Sequence, residues 1–127
     1  MYRIAICDDD LVFGSLLEQY LQNFAKTHRI PIDVLVFERG EEYLEFLIEE
    51  FPVDLIFLDI QFEKGLDGVQ IGKELRADIK NEMTQIIYIS GIESYAMQLF
   101  QNRPMDFLVK PVKQERVDQI GRASCRE

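Results

Sequence analysis

Short apolar runs are spaced along the chain at residues 4–7, 34–37, 55–58, 86–89 and 107–109. Each run is almost continuously apolar rather than alternating with polar residues, which is typical of strands buried on both faces of a parallel sheet. We therefore predict five strands, of which the run at 55–58 is the most apolar.

The segments between these runs carry apolar stripes with helical spacing. Acidic or glycine-containing clusters directly precede Leu11 and Val69, where they can cap the start of a helix. The stripes consist of Phe13, Leu16, Leu17, Tyr20, Leu21 and Phe24; of Tyr43, Leu44, Leu47 and Ile48; of Ile71, Leu75 and Ile79; and of Ile92, Tyr95, Ala96, Leu99 and Phe100.

Alternating strands and helices predict an α/β domain, in which a doubly wound parallel sheet with right-handed crossovers lies between two helical layers. Five strands favour the flavodoxin-like order 2-1-3-4-5. We expect the domain to span residues 1–120 and to end in a truncated helix that begins at Gln114. Residues 121–127 lose the apolar periodicity, so we expect a tail that is foreign to the domain or disordered.

The chain is acidic, with 14 Lys+Arg against 23 Asp+Glu in 127 residues and a formal net charge of −9. This charge argues against direct binding to nucleic acids or to anionic membranes, which attract positive surfaces. Cys7 and Cys125 fit neither a disulfide framework nor a metal-binding spacing, so we expect a reducing, cytoplasmic setting. Cys7 is expected to pack in the core.

Polar residues directly follow four of the apolar runs. Asp8 and Asp9 follow the first run, Asp59 the third, Ser90 the fourth and Lys110 the fifth. In an open α/β sheet the ligand lies outside the carboxyl ends of the strands, where the strand order reverses. We expect these five side chains to converge there.

Three carboxylates at one site repel one another unless one is protonated or a cation binds between them. Oxygen ligands without a nearby His or Cys favour Mg²⁺ with bound waters. With a lysine and a hydroxyl beside it, such a site suits phosphoryl groups. Asp59 follows the most apolar strand and is the expected nucleophile, whereas Asp10 fits a helix cap as well as a site role.

Four motifs, in this order and spacing, resemble the receiver domain of two-component response regulators, a CheY-like fold. They are Cys7-Asp8-Asp9-Asp10, Phe57-Leu58-Asp59-Ile60, Ile89-Ser90-Gly91 and Phe107-Leu108-Val109-Lys110-Pro111. The resemblance covers residues 2 to about 120. The stretch from Phe57 to Gln61, followed by Gly68 and then by residues 72–76, is more similar to the receivers of LytTR-type regulators.

This resemblance implies that Asp59 accepts a phosphoryl group from the phosphohistidine of a sensor histidine kinase. Asp9 and Asp59 would bind Mg²⁺ with the backbone carbonyl of Gln61, and Asp8 would act through a bound water. Lys110 would pair first with Asp59 and then with the phosphoryl group. Slow dephosphorylation would make the domain a switch and not a turnover enzyme.

The resemblance also implies that Ser90 moves toward the phosphoryl group while Phe107 turns inward, which reshapes the surface of the fifth strand and the last two helices. Phe107 stands where many relatives have tyrosine. A cis peptide is expected between Lys110 and Pro111. LytTR-type relatives commonly continue into a DNA-binding domain, so we expect control of transcription through such a domain and a homodimer on phosphorylation.

Two further features concern the loop after Asp59 and the hydrolysis of its phosphoryl group. Residues 62–66 contain no proline and lengthen the loop after Asp59 relative to the family pattern. Ile92, which flanks the path of the hydrolytic water in relatives, is expected to slow hydrolysis of the aspartyl phosphate.

A receiver-like module acting only by protein contact is the alternative function, although the complete set of site residues argues against it. A phosphatase would need a second acid where Gln61 stands.

Overall fold

The structure is a computed structural model that describes residues 2–49, 53–60, 68–77, 83–91 and 104–124. The strands are β1 (Tyr2–Cys7), β2 (Ile32–Phe37), β3 (Leu55–Asp59), β4 (Gln85–Ser90) and β5 (Asp106–Val109). The helices of these segments are α1 (Leu11–His28), α2 (Gly40–Glu49), α3 (Gly68–Ala77) and α4 (Gln114–Ser124). All the predicted strands are present, whereas the stripe at 92–100 lies outside the described residues. Among the described helices, none is both long and apolar enough to cross a bilayer.

The strands form one parallel sheet in the order β2-β1-β3-β4-β5, which confirms the predicted flavodoxin-like, CheY-like class. β3 lies at the centre of the sheet and is buried along its whole length. β2 is only partly buried because it lies at an edge, where one side has no neighbouring strand. Parallel pairing sets Asp59 opposite Ile89 and Ser90 opposite Val109, so the strands end side by side.

The sheet divides the core into two halves, because consecutive strand residues face opposite sides. On one side, Ile6 shares an apolar cluster with Leu17 of α1 and with residues of α4. On the other side, Cys7 shares a cluster with Tyr43 of α2 and Ile71 of α3. Helices on both faces explain why the strands are continuously apolar. The prediction that Cys7 is a core residue is confirmed.

The first helix follows the predicted stripe with one exception. Asp10 caps this helix, since its carboxylate accepts the backbone N–H groups of Val12 and Phe13. Leu16 is 43% exposed, so this member of the apolar stripe does not pack in the core. It lies about 100° around the helix from Leu17, outside the narrow face that meets the sheet. The buried residues of α1 are Phe13, Gly14, Leu17, Leu21, Phe24 and Ala25.

The last helix differs from the prediction at its end. α4 continues to Ser124, beyond the expected boundary at residue 120, so a disordered end is wrong for residues 121–124. Gly121 is buried against the ring of Phe24, and the hydroxyl of Tyr2 is hydrogen-bonded to Ser124. Such packing stabilises the last turn of a short helix. That residues 121–127 are foreign to the natural domain stays a prediction.

Candidate functional site

The carboxyl ends of four strands bring the predicted site residues to one edge of the sheet. Asp8 directly follows β1, Asp59 ends β3, Ser90 ends β4 and Lys110 directly follows β5. These ends lie side by side because neighbouring strands are parallel and paired in register. The site therefore occupies the position at which the strand order reverses, between β1 and β3.

Lys110 is the cation of this site. Its Nζ atom lies 3.1 Å from Oδ2 of Asp59 and 3.2 Å from Oδ2 of Asp8. Burial disfavours the ammonium, but the charges of Asp8 and Asp59 and the hydrogen bonds to them outweigh this effect and raise the pKa of Lys110 above its usual value. Lys110 is thus a charged bridge between two strands.

Three carboxylates stand around this ammonium. Asp8, Asp9 and Asp59 each offer an oxygen within 4.8 Å of the others, and Asp8 and Asp59 are buried. Burial of Asp8, reinforced by repulsion from Asp59, raises the pKa of the Asp8 carboxyl to about 7. One ammonium does not balance three acids, so this donor set fits a hard divalent cation such as Mg²⁺.

The neighbouring acids Asp8 and Asp10 have different roles. Oδ1 of Asp8 accepts the backbone N–H of Asp10 at 2.8 Å, which fixes the turn between β1 and α1. The carboxylate of Asp10 accepts two backbone N–H groups of the first helical turn, at 3.1 Å each. Of the two roles that the sequence left open for Asp10, the structure therefore shows the cap.

Gly68 supports the backbone of Asp59 in a way that the sequence did not predict. A Cβ atom at position 68 would overlap the carbonyl group of Asp59. The backbone N–H of Gly68 also donates to the carbonyl of Ile60 at 3.1 Å. The sequence marked Gly68 as the start of a helix and as part of the LytTR-type pattern, but not this contact, because the contact that requires a glycine is a tertiary one.

The predicted switch residues Ser90 and Phe107 lie on the neighbouring strands β4 and β5. Ser90 is buried, and its carbonyl accepts the backbone N–H of Lys110 at 2.8 Å. Phe107 is partly buried against the cluster that lies under α2 and α3. The peptide bond between Lys110 and Pro111 is cis, as expected. Gln61, Ile92 and the loop at 62–66 lie outside the described residues.

Phe13 is a second neighbour of the site that sequence reasoning missed. Its ring centroid lies 4.4 Å from Nζ of Lys110. In the sequence it appears as one member of an apolar stripe, and no local signal distinguishes it from the other members. The ring reaches the ammonium through tertiary packing, which places Phe13 in one apolar cluster with Leu108 of β5.

The chain matches a known protein family over most of its length. Residues 4–121 match the family model of the response regulator receiver domain. The chain belongs to this family. The observed strand order is that of the receiver fold.

Two relatives of this chain carry the name LytT. The chain is 34% identical over 79 residues to the sensory transduction protein LytT of Oceanobacillus iheyensis, covering 62% of this receiver and 31% of that protein. It is 27% identical over 119 residues to LytT of Bacillus subtilis, covering 94% of this receiver and 46% of that protein. These names agree with the predicted resemblance to LytTR-type regulators. The chain spans less than half the length of both relatives.

Solved structures show the same fold. A putative response regulator from Chloroflexus aurantiacus superposes with a TM-score of 0.83 at 22% identity, covering 97% of this receiver and 96% of that chain. A two-component response regulator from Clostridium difficile gives a TM-score of 0.82 at 23% identity, covering 100% and 98% of the two chains. The receiver fold is therefore shown by sequence and by architecture.

Proposed function

We propose that this receiver domain accepts a phosphoryl group on Asp59 from the phosphohistidine of a sensor histidine kinase. The observation that carries the proposal is the position of Lys110, whose Nζ atom lies 3.1 Å from Asp59 and 3.2 Å from Asp8. A carboxylate beside an ammonium offers an oxygen for attack and has a positive group ready to stabilise the incoming negative charge.

In the transfer, a carboxylate oxygen of Asp59 attacks the phosphorus atom. The new O–P bond forms as the P–N bond to the kinase imidazole breaks, and the electron pair of that bond returns to the imidazole nitrogen. Lys110 then pairs with the phosphoryl oxygens. The residues that would hold Mg²⁺ are Asp9, Asp59 and the backbone carbonyl of Gln61, with Asp8 acting through water. When bound, Mg²⁺ neutralises charge on the phosphoryl oxygens.

The proposed output is a change of surface rather than a released product. Ser90 moves toward the phosphoryl group, Phe107 turns inward, and the surface around β5 and its neighbouring helices shifts between two states. The phosphorylated domain forms a homodimer and controls transcription through a DNA-binding domain outside this chain, in the cytoplasm. The greater length of the LytT relatives supports a further domain.

The phosphorylated state ends by slow hydrolysis, so the domain acts as a timed switch and not as a turnover enzyme. An apolar side chain at position 92 provides no group that could orient a water molecule. We expect the variant Ile92→Glu to shorten the lifetime of the aspartyl phosphate. An unchanged lifetime, measured by the decay of the phosphorylated mass, would contradict this role of Ile92.

Intact-mass spectrometry tests the proposed function directly. The protein is incubated with Mg²⁺ and a small phosphodonor, and we expect addition of a phosphoryl group to the wild type but not to Asp59→Asn. Asp10→Asn is the matched control, because asparagine retains the capping oxygen and the phosphoacceptor is untouched. Equal labelling of Asp59→Asn would exclude Asp59 as the acceptor. An unlabelled wild type would favour a module that acts by protein contact alone.

A further inference from the structure

The ring of Phe13 faces the ammonium of Lys110 from the side of α1. The ring centroid is 4.4 Å from Nζ, and Phe13 is only 9% exposed. The backbone N–H of Phe13 donates to the capping carboxylate of Asp10 at 3.1 Å. The cap that starts the helix therefore also fixes the backbone from which this ring extends.

Lys110 thus has three partners, two carboxylates and one aromatic ring. The ammonium carries three N–H donors, and the carboxylates of Asp8 and Asp59 lie 3.2 Å and 3.1 Å from its nitrogen. The face of an aromatic ring carries a partial negative charge and attracts a cation within about 6 Å of its centroid. The ring of Phe13 supplies this attraction on a side where water would otherwise solvate the ammonium.

The apolar surroundings of position 13 do not by themselves require an aromatic side chain. Phe13 shares its apolar cluster with Leu17 and Leu21 of the same helix, both of which are aliphatic. The helical stripe therefore explains why this position is apolar, but not why it is aromatic. A phenylalanine at this position differs from a leucine in volume and in the attraction of its ring face for Lys110.

We propose that Phe13 is a positioning residue for phosphoryl transfer, which holds the Lys110 ammonium against Asp59 and later against the phosphoryl oxygens. This inference rests on the proposed function. Phe13 does not touch the reacting atoms and acts only through Lys110. Without the ring, the flexible lysine side chain keeps its two carboxylate partners but samples more positions, so it stabilises the developing charge less often.

Two replacements separate the attraction of the ring from its packing. Phe13→Leu removes the ring, while 3,4,5-trifluorophenylalanine at position 13 keeps the ring but weakens the negative charge of its face. Phe24→Leu is the matched control, because it is the same substitution on the same helix. The ring of Phe24 is buried and stacks on His28 with centroids 4.2 Å apart.

The first readout is the NMR signal of the Lys110 Hε protons, which needs no phosphorylation. A ring face over the side chain shifts these protons upfield of those of exposed lysines. We expect the shift in the wild type and in Phe24→Leu, and its loss in Phe13→Leu. A wild-type signal at the position of exposed lysines would overturn the inference.

The second readout is the rate of Asp59 phosphorylation by a small phosphodonor at saturating Mg²⁺, normalised to folded protein. We expect the rate to fall about fivefold in Phe13→Leu, within the range of a partly desolvated cation–π contact. The fluorinated variant should fall by a smaller factor and Phe24→Leu should match the wild type. A fluorinated variant as fast as the wild type, or an equal loss in Phe24→Leu, would overturn this inference alone. A wild type that takes up no phosphoryl group would overturn the proposed function and the inference with it.

Discussion

Ion pairs of similar length stand at the two ends of β5, and they differ chiefly in burial. At the carboxyl end, Lys110 contacts Asp59 and Asp8 at 3.1 Å and 3.2 Å, and these acidic side chains are 8% and 0% exposed. At the amino end, Arg116 lies 3.2 Å from Asp106, with side chains 42% and 38% exposed. Water screens the exposed pair, whereas the buried acids have lost their hydration and depend on the ammonium. Burial, not distance, separates a site from a surface contact.

The Lys110 cluster and the Arg116–Asp106 pair also differ in charge balance. The exposed pair joins one cation to one acid, and Arg116 is further bound to Gln119 and to the carbonyl of Phe107. At the carboxyl end, three acids have oxygens within 4.8 Å of one another, and Lys110 contacts the two buried ones, Asp8 and Asp59. A cluster with more acids than cations is unfavourable for folding alone, so this charge balance favours a bound cation.

Removing the cation that contacts the buried acids should have the largest effect on stability. In Lys110→Gln, the carboxylates of Asp8 and Asp59 lose the ammonium that contacts both. We expect the free energy of unfolding to fall by about 2 kcal/mol, less than the ~3–5 kcal/mol of a fully buried pair because Lys110 is partly exposed. Urea denaturation at neutral pH with a chelator measures this loss. Lys113→Gln, which removes an exposed lysine nearby, is the control, and an equal loss in both variants would contradict the comparison.

Adding a cation should have the next largest effect. If Mg²⁺ binds between the acids of the folded protein only, it stabilises the wild type by about 1.4 kcal/mol at ten times its Kd. Thermal unfolding with increasing Mg²⁺ measures this gain. We expect Asp9→Asn to lose most of the response and Asp10→Asn, whose acid caps α1, to retain it. An equal stabilisation of both variants by Mg²⁺ would show that the cation binds at another site.

A buried polar group without a charged partner provides a third test. Among the described residues, the fully buried hydroxyl of Tyr43 has no hydrogen-bond partner. Tyr43→Phe should therefore stabilise the protein by about 1 kcal/mol at neutral pH, because an unsatisfied group is removed. Urea denaturation of both proteins measures the difference, and a destabilised variant would show that the hydroxyl is bound after all.

The same residue predicts a pH dependence. Burial raises the pKa of Tyr43 above the usual value of 10.0, so the folded protein keeps this proton at a pH where the unfolded chain releases it. The free energy of unfolding therefore does not change through this group below pH 10, and it falls as the pH rises further because only the unfolded chain releases the proton. The advantage of Tyr43→Phe over the wild type should grow above pH 10, and a constant difference would contradict this.

Breaking the exposed pair should have the smallest effect. We expect Arg116→Gln to change the free energy of unfolding by at most about 0.5 kcal/mol, since exposed pairs are screened by water and salt. Phosphorylation of Asp59 should proceed at the wild-type rate. A loss comparable to that of Lys110→Gln would show that burial does not distinguish the two pairs.

Several properties of this receiver domain were determined by the sequence itself. Continuous apolar runs predicted the strands, because a strand covered on both faces must be apolar at every position. The residues directly after those runs predicted Asp8, Asp59, Ser90 and Lys110 as neighbours, since parallel strands end at the same edge. These are local patterns, and a local pattern is visible in the order of residues along the chain.

Other properties were decided only by the tertiary structure. The role of Gly68 beside the backbone of Asp59 and that of Phe13 over Lys110 depend on distances between separate elements. The exposure of Leu16 likewise depends on how much of α1 the sheet covers. Apolar periodicity predicts which face of an element is buried, but not which atoms of separate elements are in contact. That assignment comes from packing, which brings together side chains that are far apart in the sequence.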